Sequence, residues 1–178
     1  MYMKHLKKAL IILVLGIVII LARNYETKQS IKISQNSSTN AELIRVVDGD
    51  TIIARVNNIE ERIRIIGINT PESVRPNSPV ECFGRESSEY ISQLFSNDNK
   101  LRIKSDPTQD ARDRNGRLLA HVFLNNINIA QQMIMDGYGY EYTYREPYIY
   151  QSEYKNAERI ARENNRGLWS PETCNGQK

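Results

Sequence analysis

The sequence predicts a domain of the α+β class that is mainly β, and three observations support this. Segments rich in Ile and Val, separated by turn residues, follow one another after an apolar leader. Helical periodicity appears later, in three separate segments. The chain has 178 residues, of which 40% are hydrophobic and 25% charged, which suits one packed domain with an appendage.

The first three strands are predicted from runs of β-branched residues. Asp-Gly at 48–49 and Asn-Asn at 57–58 separate these runs as turns. In the third run Ile63, Arg64 and Ile65 alternate, so Arg64 points away from the face that the two isoleucines fill. The predicted strands are residues 42–47, 51–57 and 61–66.

A helix, two strands and two further helices are predicted after a proline-containing loop. The first helix has Tyr90, Ile91 and Leu94 on one face, and Gly137 ends the second. This order of elements fits a five-stranded OB-fold, a Greek-key barrel, with three α-helices. The predicted helices are 85–96, 127–136 and 150–164, and the strands between the first two are 100–104 and 118–124.

The N-terminal segment carries a targeting pattern. Lys4, Lys7 and Lys8 precede an apolar run over residues 9–22, which is short for a spanning helix of roughly 20 residues. We interpret residues 1–23 as a signal peptide or a signal anchor, with a buried core helix as the alternative. Export would place the rest of the chain outside the cytoplasm, either secreted or anchored to the membrane. Behind it we assign a flexible linker (24–40), the folded domain (41–172) and a C-terminal tail (173–178).

Net charge gives no evidence for a nucleic-acid partner. The whole chain has a formal net charge of +3, but the leader carries four basic residues and no acidic one. The remainder has 20 basic and 21 acidic residues. Evidence for such a partner must therefore come from local clusters.

The two cysteines, Cys82 and Cys174, predict one disulfide if the domain is exported. A zinc site is the alternative. It is poorly supported because His121 is the only histidine beyond the leader and the chain has no Cys-x-x-Cys spacing.

An Asp-Gly-Asp-Thr motif lies at residues 48–51, where the first strand meets the second. Two carboxylates around a glycine can offer oxygen ligands to a hard cation such as Ca²⁺. Asp-Gly is also a common turn pair, so a plain hairpin turn is the alternative.

Arg64 precedes an Asn-Thr-Pro-Glu segment at residues 69–72. An arginine inside an Ile-rich strand is costly without a partner, so we expect it to reach a cleft or a carboxylate. Thr70 and Glu72 lie on the following loop, where catalytic groups are often held. A capped turn with a surface glutamate is the alternative.

A charged loop at residues 110–117 contains three arginines among acidic residues. Guanidinium groups suit bidentate phosphate recognition, whereas a solvated loop with self-paired charges is the plainer interpretation. Seven tyrosines between residues 138 and 154 could stack on bases or form a partly buried aromatic face.

In their order and spacing these motifs resemble the thermonuclease (micrococcal nuclease-like) family across residues 42–170. The match runs through DGDT, RIIGINTPE, DRNGRLLA, the alternating tyrosines and Gly-Leu-Trp. The resemblance implies an OB-fold barrel with three helices and a Ca²⁺-dependent phosphodiesterase active on DNA and RNA. A catalytically weak OB-fold module that only binds nucleic acid at the cell surface is the alternative. Neither interpretation implies a protein partner, and a monomer is expected.

The resemblance also implies roles for individual residues. Asp50 corresponds to a calcium-ligating aspartate and Thr70 to the residue that lends a backbone carbonyl. Glu72 corresponds to the carboxylate that positions or activates the attacking water, and Arg64 and Arg117 to the two arginines that grip the phosphate. The substrate-binding positions are Arg114, Asn115, Tyr142 and Tyr144.

Two positions depart from the family's pattern. Asn69 stands where a second calcium-ligating aspartate is expected, so its carbonyl oxygen can ligate the single Ca²⁺ ion but one formal charge is missing. Asn115 stands where an aromatic residue is common. We therefore expect a lower affinity for Ca²⁺ and a looser stacking contact with the base or sugar.

Overall fold

The structure, a computed structural model, describes residues 15–20, 38–73 and 79–177. The chain divides into two units, Met1–Gln35 and Asn36–Lys178. In the first unit residues 15–20 are helical. Among the described residues, no helix combines the length and apolar character needed to cross a membrane. The predicted leader and linker lie largely outside the described residues, so export and anchoring stay predictions.

Eight strands and three α-helices make up the described part of the second unit. The strands are β1 (Ser38–Asp48), β2 (Thr51–Val56), β3 (Ile59–Ile65), β4 (Ile68–Asn69), β5 (Lys100–Lys104), β6 (Leu118–Leu124), β7 (Ile127–Asn128) and β8 (Tyr140–Glu141). The helices are α1 (Gly84–Leu94), α2 (Ile129–Met135) and α3 (Gln151–Glu163), and a 3₁₀ turn follows at Gly167–Trp169.

Five strands close into a barrel. β1 pairs antiparallel with β2 and with β5, β2 pairs with β3, and β5 pairs with β6. A parallel pairing between β3 and β6 completes the ring. This closed five-stranded barrel with a mixed sheet fits the predicted OB-fold. Outside the barrel, β7 extends the sheet beside β6, and β4 pairs with β8.

The alternation in β3 separates the core from the site, as the sequence predicts. Ile63 and Ile65 are buried in the main hydrophobic cluster, whereas Arg64 faces the other way. The hairpin between β2 and β3 turns at Asn57 and Asn58, whose φ values of 50° and 65° are those of a type I′ turn. This turn fixes the register that pairs Arg64 with Thr51.

Most predicted boundaries differ from the structure by a few residues, and two of the differences change how a segment is assigned. Residues 38–40, assigned to the linker, belong to β1, where Ser38 pairs with Lys104. Residues 127–128, predicted as the start of a helix, form β7. Asn128 then caps α2, because its side-chain oxygen accepts a hydrogen bond from the Gln131 N–H at 3.3 Å. Strands of two residues are too short to show a periodicity.

His121 and Asp106 form a fully buried pair beneath the N-terminus of α3. His121 Nε2 lies 2.8 Å from Asp106 Oδ2, which also accepts the Ile149 N–H. Burial lowers the pKa of His121 more than Asp106 raises it. Burial raises the pKa of Asp106, but hydrogen bonds from His121, Ile149 and Thr108 outweigh this and hold it well below its ordinary value. The folded state therefore disfavours protonation of both groups.

Acid is expected to destabilise the domain in two steps. Both groups have lower pKa values in the folded state, so the unfolded chain binds more protons as the pH falls. Stability should decrease first below about pH 6.5 through His121 and again below about pH 4 through Asp106. Urea unfolding between about pH 8 and about pH 2.5 measures this, with His121→Gln expected to flatten the first step. An unfolding free energy that stays constant from pH 7 to pH 5 in the wild type would contradict the prediction.

Candidate active site

The two aspartates of the Asp-Gly-Asp motif have different surroundings. Asp48 Oδ1 accepts hydrogen bonds from the Gly49 N–H, from Ser73 Oγ at 2.7 Å and from Ser88 Oγ at 2.9 Å. These hydrogen bonds therefore connect the turn between β1 and β2 to the loop that follows β4 and to α1. Asp50 instead belongs to a charged cluster, which it forms with Arg64, Asn69 and Thr70. The motif therefore supplies both a turn residue and a candidate metal ligand.

Arg64 occupies the centre of this cluster. Its Nη1 donates to the carbonyls of Ile65 and Ile68 at 3.0 and 2.8 Å, and its Nη2 lies 3.0 Å from Asp50 Oδ2. Burial lowers the pKa of the Arg64 guanidinium, the Asp50 carboxylate opposes this, and the nearby Arg117 guanidinium adds to it. The predicted partner of the strand arginine is thus a carboxylate, and backbone carbonyls fix its orientation.

Asn69 brings a further oxygen to the same point, and Thr70 brings a backbone N–H. Asn69 Oδ1 accepts from Arg64 Nη2 at 3.3 Å, so the Asp50 and Asn69 oxygens converge on one nitrogen. The Thr70 N–H donates to Asp50 Oδ2 at 3.2 Å, and Thr70 Oγ1 is a buried oxygen with no hydrogen-bond partner among the described residues. Gly49 permits this packing, since a Cβ there would lie 2.7 Å from Thr70 Oγ1.

The donor set of this cluster suits a hard cation. Carboxylate and amide oxygens are the ligand types that Ca²⁺ prefers, and both converge on a position already occupied by a cationic nitrogen. Within the described ranges, no group of three or more His, Cys, Asp or Glu residues could hold a metal. A Ca²⁺ ion here would therefore need backbone carbonyl and water oxygens beside Asp50 and Asn69.

Arg117 approaches the cluster from the turn before β6. Its Nε pairs with Asp113 Oδ2 at 2.6 Å, and its Nη1 lies 3.4 Å from Thr51 Oγ1. Thr51 Oγ1 in turn donates to Asp50 Oδ1 at 2.9 Å. The structure thus brings two guanidinium groups to one place, Arg64 paired with Asp50 and Arg117 with Asp113. Guanidinium groups placed together in this way suit an anionic ligand such as a phosphate.

Glu72 lies two residues beyond Thr70. Its N–H donates to Glu81 Oε2 at 2.9 Å, and its carbonyl accepts from the Glu81 N–H at 2.9 Å. The next residue, Ser73, is bound to Asp48. The Glu72 backbone is therefore held on both sides at the edge of the cluster.

The tyrosines separate into two groups. Tyr142 and Tyr144 are 42% and 62% exposed, with ring centroids 6.4 Å apart, and Tyr142 is near enough to influence the pKa of Arg64. Tyr148 and Tyr154 are buried in the core. The first pair is accessible, and its substrate-binding role stays a prediction. The second pair packs in the core, where the Tyr148 hydroxyl donates to Glu141 and the Tyr154 hydroxyl donates to Asn128.

The three arginines of the charged loop also differ in their surroundings. Arg112 pairs with Glu61 of β3 at 2.7 Å, outside the loop, whereas the pair of Arg117 with Asp113 is the self-pairing that the plainer interpretation of this loop predicted. Arg114 and Asn115 are exposed at the tip of the turn, where the Asn115 N–H donates to Asp113 Oδ1. Of the three arginines, Arg117 is the one whose hydrogen bonds lead to Asp50.

Sequence reasoning missed three residues that support the site: Thr51, Asp113 and Glu81. The four-residue spacing between Asp113 and Arg117 was an available signal, because an acid and a base so placed on a tight turn can pair. No pattern in the sequence indicates Glu81, which meets Glu72 nine positions earlier in the chain.

The predicted disulfide between Cys82 and Cys174 is present, with Cα atoms 5.9 Å apart. It joins the segment before α1 to the C-terminal tail, where Cys174 is buried beside Leu168 and Trp169. A zinc site on these cysteines is therefore wrong.

Comparison with known proteins decides the family. The family model described as staphylococcal nuclease homologue matches residues 62–171, well over half of the chain. The chain belongs to the staphylococcal nuclease homologue family. This confirms the resemblance drawn from the motifs and the assignment to the nucleases, which are hydrolases.

Several relatives of this nuclease family support the assignment. A thermonuclease from Staphylococcus hyicus is 33% identical over 172 residues, which cover 94% of this chain and 99% of the relative. A thermonuclease from Staphylococcus intermedius is 32% identical over 73% of this chain and 79% of its own length. Endonuclease YncB from Bacillus subtilis is 30% identical over 77% of this chain and 64% of its own length.

Proposed function

We propose that this nuclease is a Ca²⁺-dependent endonuclease that hydrolyses phosphodiester bonds of DNA and RNA, secreted or anchored to the membrane by residues 9–22. The observation that carries the proposal is the convergence of Arg64 and Arg117 on a cluster of hard oxygen donors around Asp50. The names of the thermonuclease and endonuclease relatives agree with this chemistry.

Arg64 and Arg117 would stabilise the phosphate as negative charge grows on its non-bridging oxygens. Preorganised cationic donors are effective because they need no rearrangement during the reaction. Arg64 is preorganised by the carbonyls of Ile65 and Ile68, and Arg117 by its bond to Asp113. The low exposure of the Arg64 and Asp50 side chains, 13% and 10%, strengthens the electrostatic interaction.

The Asp50 carboxylate, the Asn69 amide oxygen and the Thr70 carbonyl would hold the Ca²⁺ ion. When bound, such an ion supplies further charge stabilisation and orients the substrate. Glu72 would accept a proton from the attacking water, a role that requires its carboxylate to lie within hydrogen-bond reach of that water. Tyr142 and Tyr144, both exposed, would contact the nucleotide.

Cleavage by the full chain tests the proposal. Single-stranded DNA, duplex DNA and RNA are incubated with Ca²⁺, with chelator, and with Glu72→Gln. We expect cleavage of internal bonds that chelator abolishes and that Glu72→Gln reduces by about 10²–10³, in the range of losing one important catalytic group. Glu86→Gln, which removes an exposed carboxylate on α1, is the matched control.

Two results would contradict the proposal. Undiminished cleavage in chelator would remove the dependence on Ca²⁺. Tight binding of DNA without cleavage in any condition would favour the alternative, a catalytically weak nucleic-acid-binding module.

Asn69→Asp is expected to bind Ca²⁺ more tightly than the wild type. The neutral Asn69 oxygen faces the same point as the Asp50 carboxylate, so a second formal charge there should raise affinity on the order of tenfold. Isothermal titration calorimetry measures this directly. Asn115→Asp adds the same charge on the exposed turn and should leave affinity nearly unchanged. Equal affinities of Asn69→Asp and the wild type would show that Asn69 is not a ligand.

A further inference from the structure

Two hydrogen bonds join Glu81 and Glu72, as in a pair of residues on antiparallel strands. One is between backbone groups, and in the other the Glu81 side chain replaces a backbone carbonyl. The Glu81 N–H donates to the Glu72 carbonyl at 2.9 Å. The Glu81 carbonyl does not return the bond; it accepts from the Gly84 N–H at 3.0 Å in the turn that begins α1. The Glu81 carboxylate takes its place and accepts the Glu72 N–H at 2.9 Å.

The segment before α1 is shaped to approach Glu72 closely. A Cβ on Gly84 would lie 2.6 Å from the Glu72 carbonyl oxygen, so only glycine fits there without displacing the backbone. Phe83 adopts φ 67°, a left-handed conformation that is unusual for an aromatic residue, and its ring packs 5.3 Å from that of Tyr138. These features keep the 81–84 turn against the Glu72 backbone.

This turn is itself attached to rigid parts of the domain. Cys82 follows Glu81 directly and is bonded to Cys174, a buried residue of the C-terminal tail. On the other side of Glu72, the Ser73 hydroxyl donates to Asp48. The Glu72 Cα therefore lies between two anchored points, which oppose the conformational freedom that a loop residue would otherwise have.

We propose that Glu81 is a positioning residue for this nuclease, holding the backbone of Glu72 so that its carboxylate meets the attacking water. The inference rests on the proposed role of Glu72 and adds a residue to that site. A displacement of about 1 Å in a catalytic group can cost 10²-fold in rate. The loss of the hydrogen bond from the Glu72 N–H should therefore reduce turnover more than substrate binding.

Three variants of the full chain separate positioning from charge and from folding. Glu81→Ala removes the acceptor, and Glu81→Gln keeps a side-chain carbonyl that can accept the Glu72 N–H. Glu86→Ala removes a nearby exposed carboxylate on α1 and serves as control. For Glu81→Ala we expect kcat to fall about 10- to 100-fold with KM within about twofold of the wild type. Glu81→Gln should recover most of kcat, and Glu86→Ala should behave as wild type.

Amide hydrogen exchange gives a measurement independent of activity. The Glu72 amide should exchange slowly in the wild type and in Glu81→Gln, and faster in Glu81→Ala, while amides of β2 and β3 are unchanged. Wild-type kcat in Glu81→Ala, or Glu81→Gln as slow as Glu81→Ala, would overturn the proposal. Undiminished cleavage by Glu72→Gln would instead refute the proposed role of Glu72, whatever the exchange data show for Glu81.

Discussion

Arg117→Gln is expected to lower kcat by about 10²–10³ while the domain stays folded, the loss typical of removing one donor to a developing oxyanion. Arg117 is bound to Asp113 through Nε, and its Nη1 has only a long contact, 3.4 Å, with Thr51. Most of the guanidinium is therefore available to a phosphate, and little of the fold depends on it. Arg117→Lys should recover only part of the rate, since an ammonium cannot form the bidentate contact.

Arg64 is expected to behave differently. Its hydrogen bonds to Ile65 and Ile68 and its pair with Asp50 are part of the folded structure. Arg64→Gln leaves the Asp50 carboxylate, 10% exposed, without its cation, which should cost about 3 kcal/mol of unfolding free energy besides the loss of rate. Urea unfolding of the two variants therefore distinguishes a substrate-binding arginine from one that also stabilises the domain.

Neighbouring arginines provide the control for Arg117. Arg112→Gln breaks an exposed pair with Glu61, and Arg114→Gln changes the tip of the same turn. Neither should lower kcat more than about tenfold, because screened surface charges affect mainly substrate encounter and KM. Equal losses of kcat in all three variants would mean that the turn acts through its general charge and that Arg117 has no special role.

The barrel could be predicted from the sequence because its signals are local. The strands 100–104 and 118–124 were predicted with the bounds that β5 and β6 have in the structure. Alternation around Arg64 also predicted which side of β3 faces the core. By contrast, β4 and β8 are two residues long and exist because their chain segments meet in the folded domain, so no periodicity could indicate them.

The candidate site was predicted from motif order, and its supporting contacts were not. Asp50, Arg64, Asn69 and Thr70 were named from short motifs, and the structure places all four in one cluster. Glu81 was not predicted, because its contact with Glu72 depends on how a loop closes. The tyrosines show the same limit, since a run of alternating aromatic residues does not reveal that Tyr148 is 5% exposed and Tyr144 62%.

Removing the disulfide is expected to have the largest effect on stability. Cys82 and Cys174 are 92 residues apart, and closing a loop of that length reduces the entropy of the unfolded chain by an amount worth about 4 kcal/mol. The double variant Cys82→Ser/Cys174→Ser should lose this much unfolding free energy in urea. The reduced wild type should unfold at the same urea concentration as the double variant.

The C-terminal tail should nevertheless keep its folded position in the double variant. The loss of unfolding free energy then arises mainly from the greater entropy of the unfolded chain. Trp169 packs edge-on against Tyr140 at 5.2 Å, and the Arg162 guanidinium lies 4.0 Å above the Trp169 ring. We therefore expect the slowest amides of β2 and β6 to exchange about 10³-fold faster, as 4 kcal/mol implies, with unchanged near-UV circular dichroism. A change in unfolding free energy below about 1 kcal/mol would show that the reduced chain is already constrained. Cys82 adjoins Glu81. If amide exchange in the double variant accelerates more at Glu72 than in β2, the disulfide also holds the Glu81 turn in place.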